Sequence, residues 1–211
     1  MGLAISVGIE PELADDEEEL AEARAMFKGL SAALAAEGVI WTEPIGAPVP
    51  PSRAPVLSFP YSWLHYLRRV YALVSIGRPV TPVDGPDERD RDNDAVEDET
   101  AMFSSHLLCH SDCEGYYVPV DFNEPLFLTE ESGVAGGGMV GSSQGLRAEL
   151  RRCAPAIGIR LTPDGSLPDA EAERLADLPE DASYFIESTV WLTLHEACEV
   201  SIASGHAIEF C

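Results

Sequence analysis

The densest collection of chemically capable side chains lies in residues 104–122, SSHLLCHSDCEGYYVPVDF. A histidine beside a carboxylate can exchange a proton near neutral pH, so His110 with Asp112 or Glu114 is the candidate acid–base set. Tyr116 and Asp121 add a phenol and a carboxylate suited to lining a polar ligand site. Ser142 and Ser143 follow a Gly-rich loop, which could act as a lid, and open a helix whose N-terminus favours anions; they complete the candidate ligand-binding set. The same segment has a plainer reading, in which Asp112 caps a turn and the tyrosines pack with satisfied hydroxyls. Cys113 is a poor nucleophile, because Asp112 and Glu114 would disfavour its thiolate.

Other motifs begin and then fail. Cys109, His110 and Cys113 suggest zinc, but no second Cys or His pair follows at finger-like spacing. Gly136 and Gly141 have phosphate-loop spacing, yet Ser142 stands where the lysine belongs. Asp90, Asp92 and Asp94 open like a calcium loop, but Ala95 and Ala101 occupy its glycine and glutamate positions. His195-Glu196 starts a zinc-protease pattern in which Glu199 replaces the second histidine; an ion pair at i, i+4 is the better reading. No metal and no cofactor are assigned.

The elements that position these residues follow from pattern. Residues 3–9 read as a strand. An acidic turn at 15–19 leads into an amphipathic helix of about 20 residues ended by Gly38. Six prolines make 43–60 an extended segment lying across the body of the domain. Trp63, Leu64, Leu67, Val70, Tyr71 and Val74 trace one face of a helix over 61–76. Residues 83–100 read as an acidic mobile loop, with a short helix starting at Thr100. Strands are predicted at 106–110, 116–122, 125–128 and 157–161. Helices are predicted from Ser142 or Ser143 to about Ala154, over 168–178 and over 184–204, before a last strand at 207–211. The sum is an α+β class, one domain over 1–211, with a small mostly antiparallel sheet and about five helices.

Composition bounds the function. The 211 residues carry 13 Lys+Arg against 37 Asp+Glu, a formal charge of −24. Only Lys28 is a lysine, which reads as the coding bias of a GC-rich bacterial genome. So acidic a chain disfavours direct contact with nucleic acid, and no apolar run is long enough to span a membrane. The start of the chain lacks a signal-peptide pattern, so the default location is the cytoplasm. Five scattered cysteines argue against disulfide stapling.

The segments 2–8 (GLAISVG), 63–73 (WLHYLRRVYAL), 110–122 (HSDCEGYYVPVDF) and 141–150 (GSSQGLRAEL) resemble a group of uncharacterised bacterial proteins of about this length. That resemblance implies no role for any residue. Size and charge alone also make the chain similar to acidic bacterial immunity proteins. Three functional readings follow. The first is an inhibitor or immunity-type protein that binds a basic protein through Asp84, Asp87, Glu88, Asp90, Asp92, Asp94, Glu97, Asp98 and Glu99. The second is a small-ligand binder or hydrolase-like enzyme centred on 104–122. The third is a nucleic-acid mimic that competes with DNA for a DNA-binding protein; it ranks last because no regular charge spacing stands out.

Overall fold

The computed structural model describes residues 2–8, 17–83, 88, 90–135 and 138–211. Strand β1 (Gly2–Val7) alternates its side chains, so that Leu3 and Ile5 are buried on one face. Helix α1 (Glu17–Ala36) carries Phe27, Leu30 and Leu34 on one buried stripe. An extended segment then reaches β2 (Ser58–Pro60) and α2 (Tyr61–Ser75). Helix α3 spans Asn93–Thr100. Strands β3 (Gly115–Val118), β4 (Leu126–Phe127) and β5 (Met139–Ser142) precede α4 (Ser143–Cys153). Helices α5 (Asp169–Ala176) and α6 (Phe185–Ser204) and strand β6 (Ile208–Phe210) complete the chain.

The strands form one sheet in the order β2-β1-β6-β3-β5-β4. Among the described residues, only β3 and β5 run parallel; every other pairing is antiparallel. This is an α+β fold with a mostly antiparallel mixed sheet and, among the described residues, six α-helices. The pleat divides the core in two. Leu3, Ile5, Tyr117, Ile208 and Phe210 face α2, α4 and α6, whereas Tyr116, Val118, Val140 and Ala207 face α1. Helix α6 is buried over most of its circumference, with Trp191 and Leu194 fully enclosed, and Gly205 ends it at φ 84°. Gly141 has a steric purpose: a Cβ there would sit 2.2 Å from the Tyr117 ring.

Several local expectations are corrected. Residues 106–110 form a turn, not a strand, because Glu149 of α4 takes up their backbone. Its carboxylate accepts from His106 N and Leu107 N, each at 2.8 Å, and from Ser105 Oγ at 3.0 Å. Strand β3 stops at Val118, and β4 holds two residues rather than four. Residues 154–157 are a 3-10 turn, and 159–161 pair with no strand. The acidic mobile loop over 83–100 is replaced, where described, by a 3-10 turn at Asp90–Asp92 and by α3, which ends rather than begins at Thr100. Buried Asp92 anchors it, joined to Arg69 of α2 and to Arg78 at 2.7 Å each. Ala95 packs beneath it with Ala72 and Leu73. Asp84 and Asp87 lie outside the described residues, as do Gly136 and Gly137.

Candidate functional site

The 104–122 side chains do not converge. Tyr116 and Tyr117 are sequential in β3 and therefore point to opposite faces of the sheet. His110 stacks on Tyr117, with ring centroids 4.2 Å apart, and is 3% exposed. Its Nδ1 lies 2.9 Å from Ser111 O, and burial pushes the imidazole down to about 4. Tyr116, on the other face, donates to Met26 Sδ at 2.8 Å and lines a pocket of about 430 Å3 with Met26, Leu30 and Val134. Burial and the nearby Glu209 raise its phenol.

Asp112 is engaged by Arg68 of α2 and by His65 Nε2 at 3.1 Å. Burial alone would raise its carboxyl; the His65 hydrogen bond and the Arg68 charge outweigh that and hold it at about 2. Glu114 and Asp121 are exposed. Ser142 and Ser143 are both fully buried. Ser142 Oγ caps α4 by accepting from Gly145 N at 3.0 Å, and Ser143 Oγ meets Ser201 Oγ at 2.9 Å. Ser142 N donates to His106 Nδ1, which leaves the proton on Nε2 to reach Phe122 O. These serines therefore serve the helix start and its packing. Among the described residues, no group of three or more His, Cys, Asp or Glu could hold a metal ion.

One open groove was not foreseen. About 1130 Å3 lies between α1, residues 45–52 and the outer face of β1 and β6. Its lining is mainly apolar, with Ser6, Arg24, His206 and Glu209 at its polar edge. Thr193, Ala197 and Val200 of α6 also line it; segments far apart in the chain build it, so no local motif announces it.

Charge is distributed in a way that composition hides. Arg53, Arg68, Arg69, Arg78, Arg91, Arg147, Arg151, Arg160 and Arg174 each meet a carboxylate within ion-pair distance. The acids most deeply engaged are themselves buried. Glu171 lies between Arg160 and Arg174, and Glu196 takes the Arg53 fork at 2.6 Å. Hydrogen bonds from Arg174 and then from Arg160 hold the Glu171 carboxyl at about 2, against its own burial. Glu199 binds Arg147 and Arg151 as well as lying 3.7 Å from His195. The protein's cations are thus largely consumed internally.

What remains outside is acidic. Asp94, Glu97 and Asp98 are exposed on α3 at spacings that share one face. Asp90 is exposed just before them, while Glu88 and Glu99 are half-buried. Asp92 differs from its neighbours in being buried, with its charge held between Arg69 and Arg78; exposed Asp94 lies 3.9 Å from Arg78. Exposed Asp177, Glu180 and Asp181 lead into α6, where Tyr184 donates to Val80 O at 3.2 Å. That bond draws the 177–184 stretch alongside the segment that leads to α3. No helix among the described residues is long and apolar enough to cross a membrane.

No curated protein and no solved structure matches the chain. Residues 1–210 match a family model described as "Putative DNA-mimic protein". That match overturns the expectation that nucleic acid has no part in this protein's partnerships. The expectation considered only a protein touching phosphate, which needs basic side chains. A mimic takes DNA's place, so DNA enters as the competitor for a shared partner. An acidic, protein-binding surface is what such a role requires, and the chain belongs to the DNA-mimic family.

Proposed function

We propose that the protein inhibits a DNA-binding protein by occupying its DNA site. One observation carries this reading: nine arginines are paired with the protein's own carboxylates, so the exposed charge left over is mostly negative. A surface with a large excess of one sign, held by a folded scaffold, presents the potential that a phosphate backbone presents. The exposed acids of α3 and of 177–181 are the proposed contact, with a basic DNA-binding groove as the partner surface. The inhibitor reading of the sequence takes this form.

Electrostatic complementarity would speed encounter and make affinity fall with salt. The test is displacement. Proteins of a bacterial lysate are bound to DNA–cellulose and challenged with the purified protein at 50 and then 200 mM NaCl (about a twofold change in Debye length). A DNA-binding protein should be released at low salt, and its affinity for the mimic should drop by about tenfold or more at high salt. No release, or release insensitive to salt, would sink the reading.

A further inference from the structure

Between Arg91 and Arg147 the chain has no Lys or Arg. Within that stretch lie Met102, Phe103 and Phe127, exposed by 68%, 61% and 50%. Phe103 and Phe127 meet edge to face, with ring centroids 5.6 Å apart and planes at 84°. Phe103 follows α3 directly, and its N–H donates to Thr100 O. Its φ of 53° lies in the left-handed region, which bulky side chains avoid. Phe127 sits on β4, the outermost strand of the sheet. Exposed Glu97 and Asp98 precede Phe103, and exposed Glu124 and Glu131 flank Phe127. Two large rings that pack on each other in water, with exposed carboxylates within six residues along the chain, add nothing to either core cluster.

We propose that this aromatic pair stands in for unstacked bases, and that the partner binds single-stranded DNA. The inference rests on the DNA-mimic reading and narrows it. A protein that reads duplex DNA meets phosphates and polar base edges, because the base faces are hidden in the stack. A protein that binds single strands combines a basic groove with aromatic side chains on which base faces stack. Carboxylates around exposed rings match the second surface and not the first. The acids would meet the partner's basic groove while Phe103 and Phe127 settle on its stacking residues.

The test uses the full-length chain and two sets of beads, one carrying oligo(dT) and one carrying duplex DNA of equal length. Both are loaded with the same bacterial lysate and washed with increasing amounts of the protein. A double variant, Phe103→Asn with Phe127→Thr, removes both rings; Asn tolerates the left-handed backbone and Thr suits a strand. Phe127→Thr alone serves if the double variant melts below the wild type. The wild type should release protein from oligo(dT) beads, and the variant should need about tenfold more for half release. Release from duplex beads alone, or equal release by wild type and variant, would overturn the single-strand inference and leave DNA mimicry standing. No release from either bead would overturn both.

Discussion

Asp92 and its neighbours on α3 are close in sequence and opposite in predicted effect. Asp92→Asn removes a charge whose side chain is 9% exposed, from an ion pair with an Arg69 side chain that is 2% exposed. Among the described residues, Arg69 then keeps Thr81 O, at 3.1 Å, as its full-strength acceptor. Breaking one side of a buried pair costs about 3–5 kcal/mol, because the remaining charge stays desolvated. Asn preserves the shape and one acceptor oxygen, and Arg78, at 45% side-chain exposure, can turn to water. The lower end, about 3 kcal/mol, is therefore expected. For a chain of this size, that lowers Tm by about 6–12 °C. The combined variant Asp94→Asn, Glu97→Gln, Asp98→Asn removes three charges from exposed sites, where single changes stay within about 0.5 kcal/mol. Its Tm should match the wild type, while its displacement of DNA-binding protein weakens and becomes less sensitive to salt. Calorimetry and the DNA–cellulose assay read the two quantities separately. If Asp92→Asn melts within about 2 °C of wild type, the anchoring argument is wrong. If the triple variant displaces as well as wild type, α3 is not the contact surface.

Two further outcomes follow from the charges. Burial pushes the Glu149 carboxyl up to about 7, against the hydrogen bonds it accepts from Leu107 N, His106 N and Ser105 Oγ. The folded chain therefore favours its protonated form, and that contribution is complete below the unfolded value near 4.3 and lost as pH rises through about 7. Urea midpoints at pH 5 and pH 8 should show this gain on acidification in the wild type and not in Glu149→Gln; parallel profiles would refute it. Separately, NaCl should raise Tm, because shortening the Debye length from about 10 Å at 0.1 M to about 3 Å at 1 M screens self-repulsion. A Tm that falls with salt would mean that surface ion pairs outweigh that repulsion.

Much of the scaffold was legible because its signals are local. Alternation marks β1, the Phe27, Leu30 and Leu34 stripe marks α1, and the Tyr184–Gly205 run marks α6. The errors arise where a distant residue decides local structure. His106 to His110 looks like a strand, but Glu149 bonds its backbone from about forty positions away. Helix α3 looks like a solvated loop because six of its eight residues are polar and it buries little beyond Ala95; its anchor on Arg69 comes from α2. The surroundings of the candidate site residues were hidden for a related reason. His110, Ser142 and Ser143 have reactive side chains, but burial, which decides their role, is a property of the whole fold. The mimic reading ranks last on sequence because no regular charge spacing stands out, and composition counts acids without separating those that arginines pair from those that face solvent.

Twelve of the thirteen basic residues are arginine, and their placement has a physical consequence. Arginine's planar fork stays charged when desolvated and satisfies both oxygens of a carboxylate. It therefore lets a fold hold positive charge in its interior, as Arg69 does on Asp92, or neutralise it nearer the surface, as Arg53 does by giving two nitrogens to Glu196 and a third to Asp169 and Leu167 O. That clamp also fastens the proline-rich segment to α5 and α6. Lysine, with one compact and strongly hydrated charge, would more often stay at the surface and interrupt the anionic face. The exposed field thus depends on internal pairs as much as on exposed acids. Each arginine that ties an element down is also a cation withdrawn from the face a DNA-binding groove would meet, so stability and mimicry draw on the same residues.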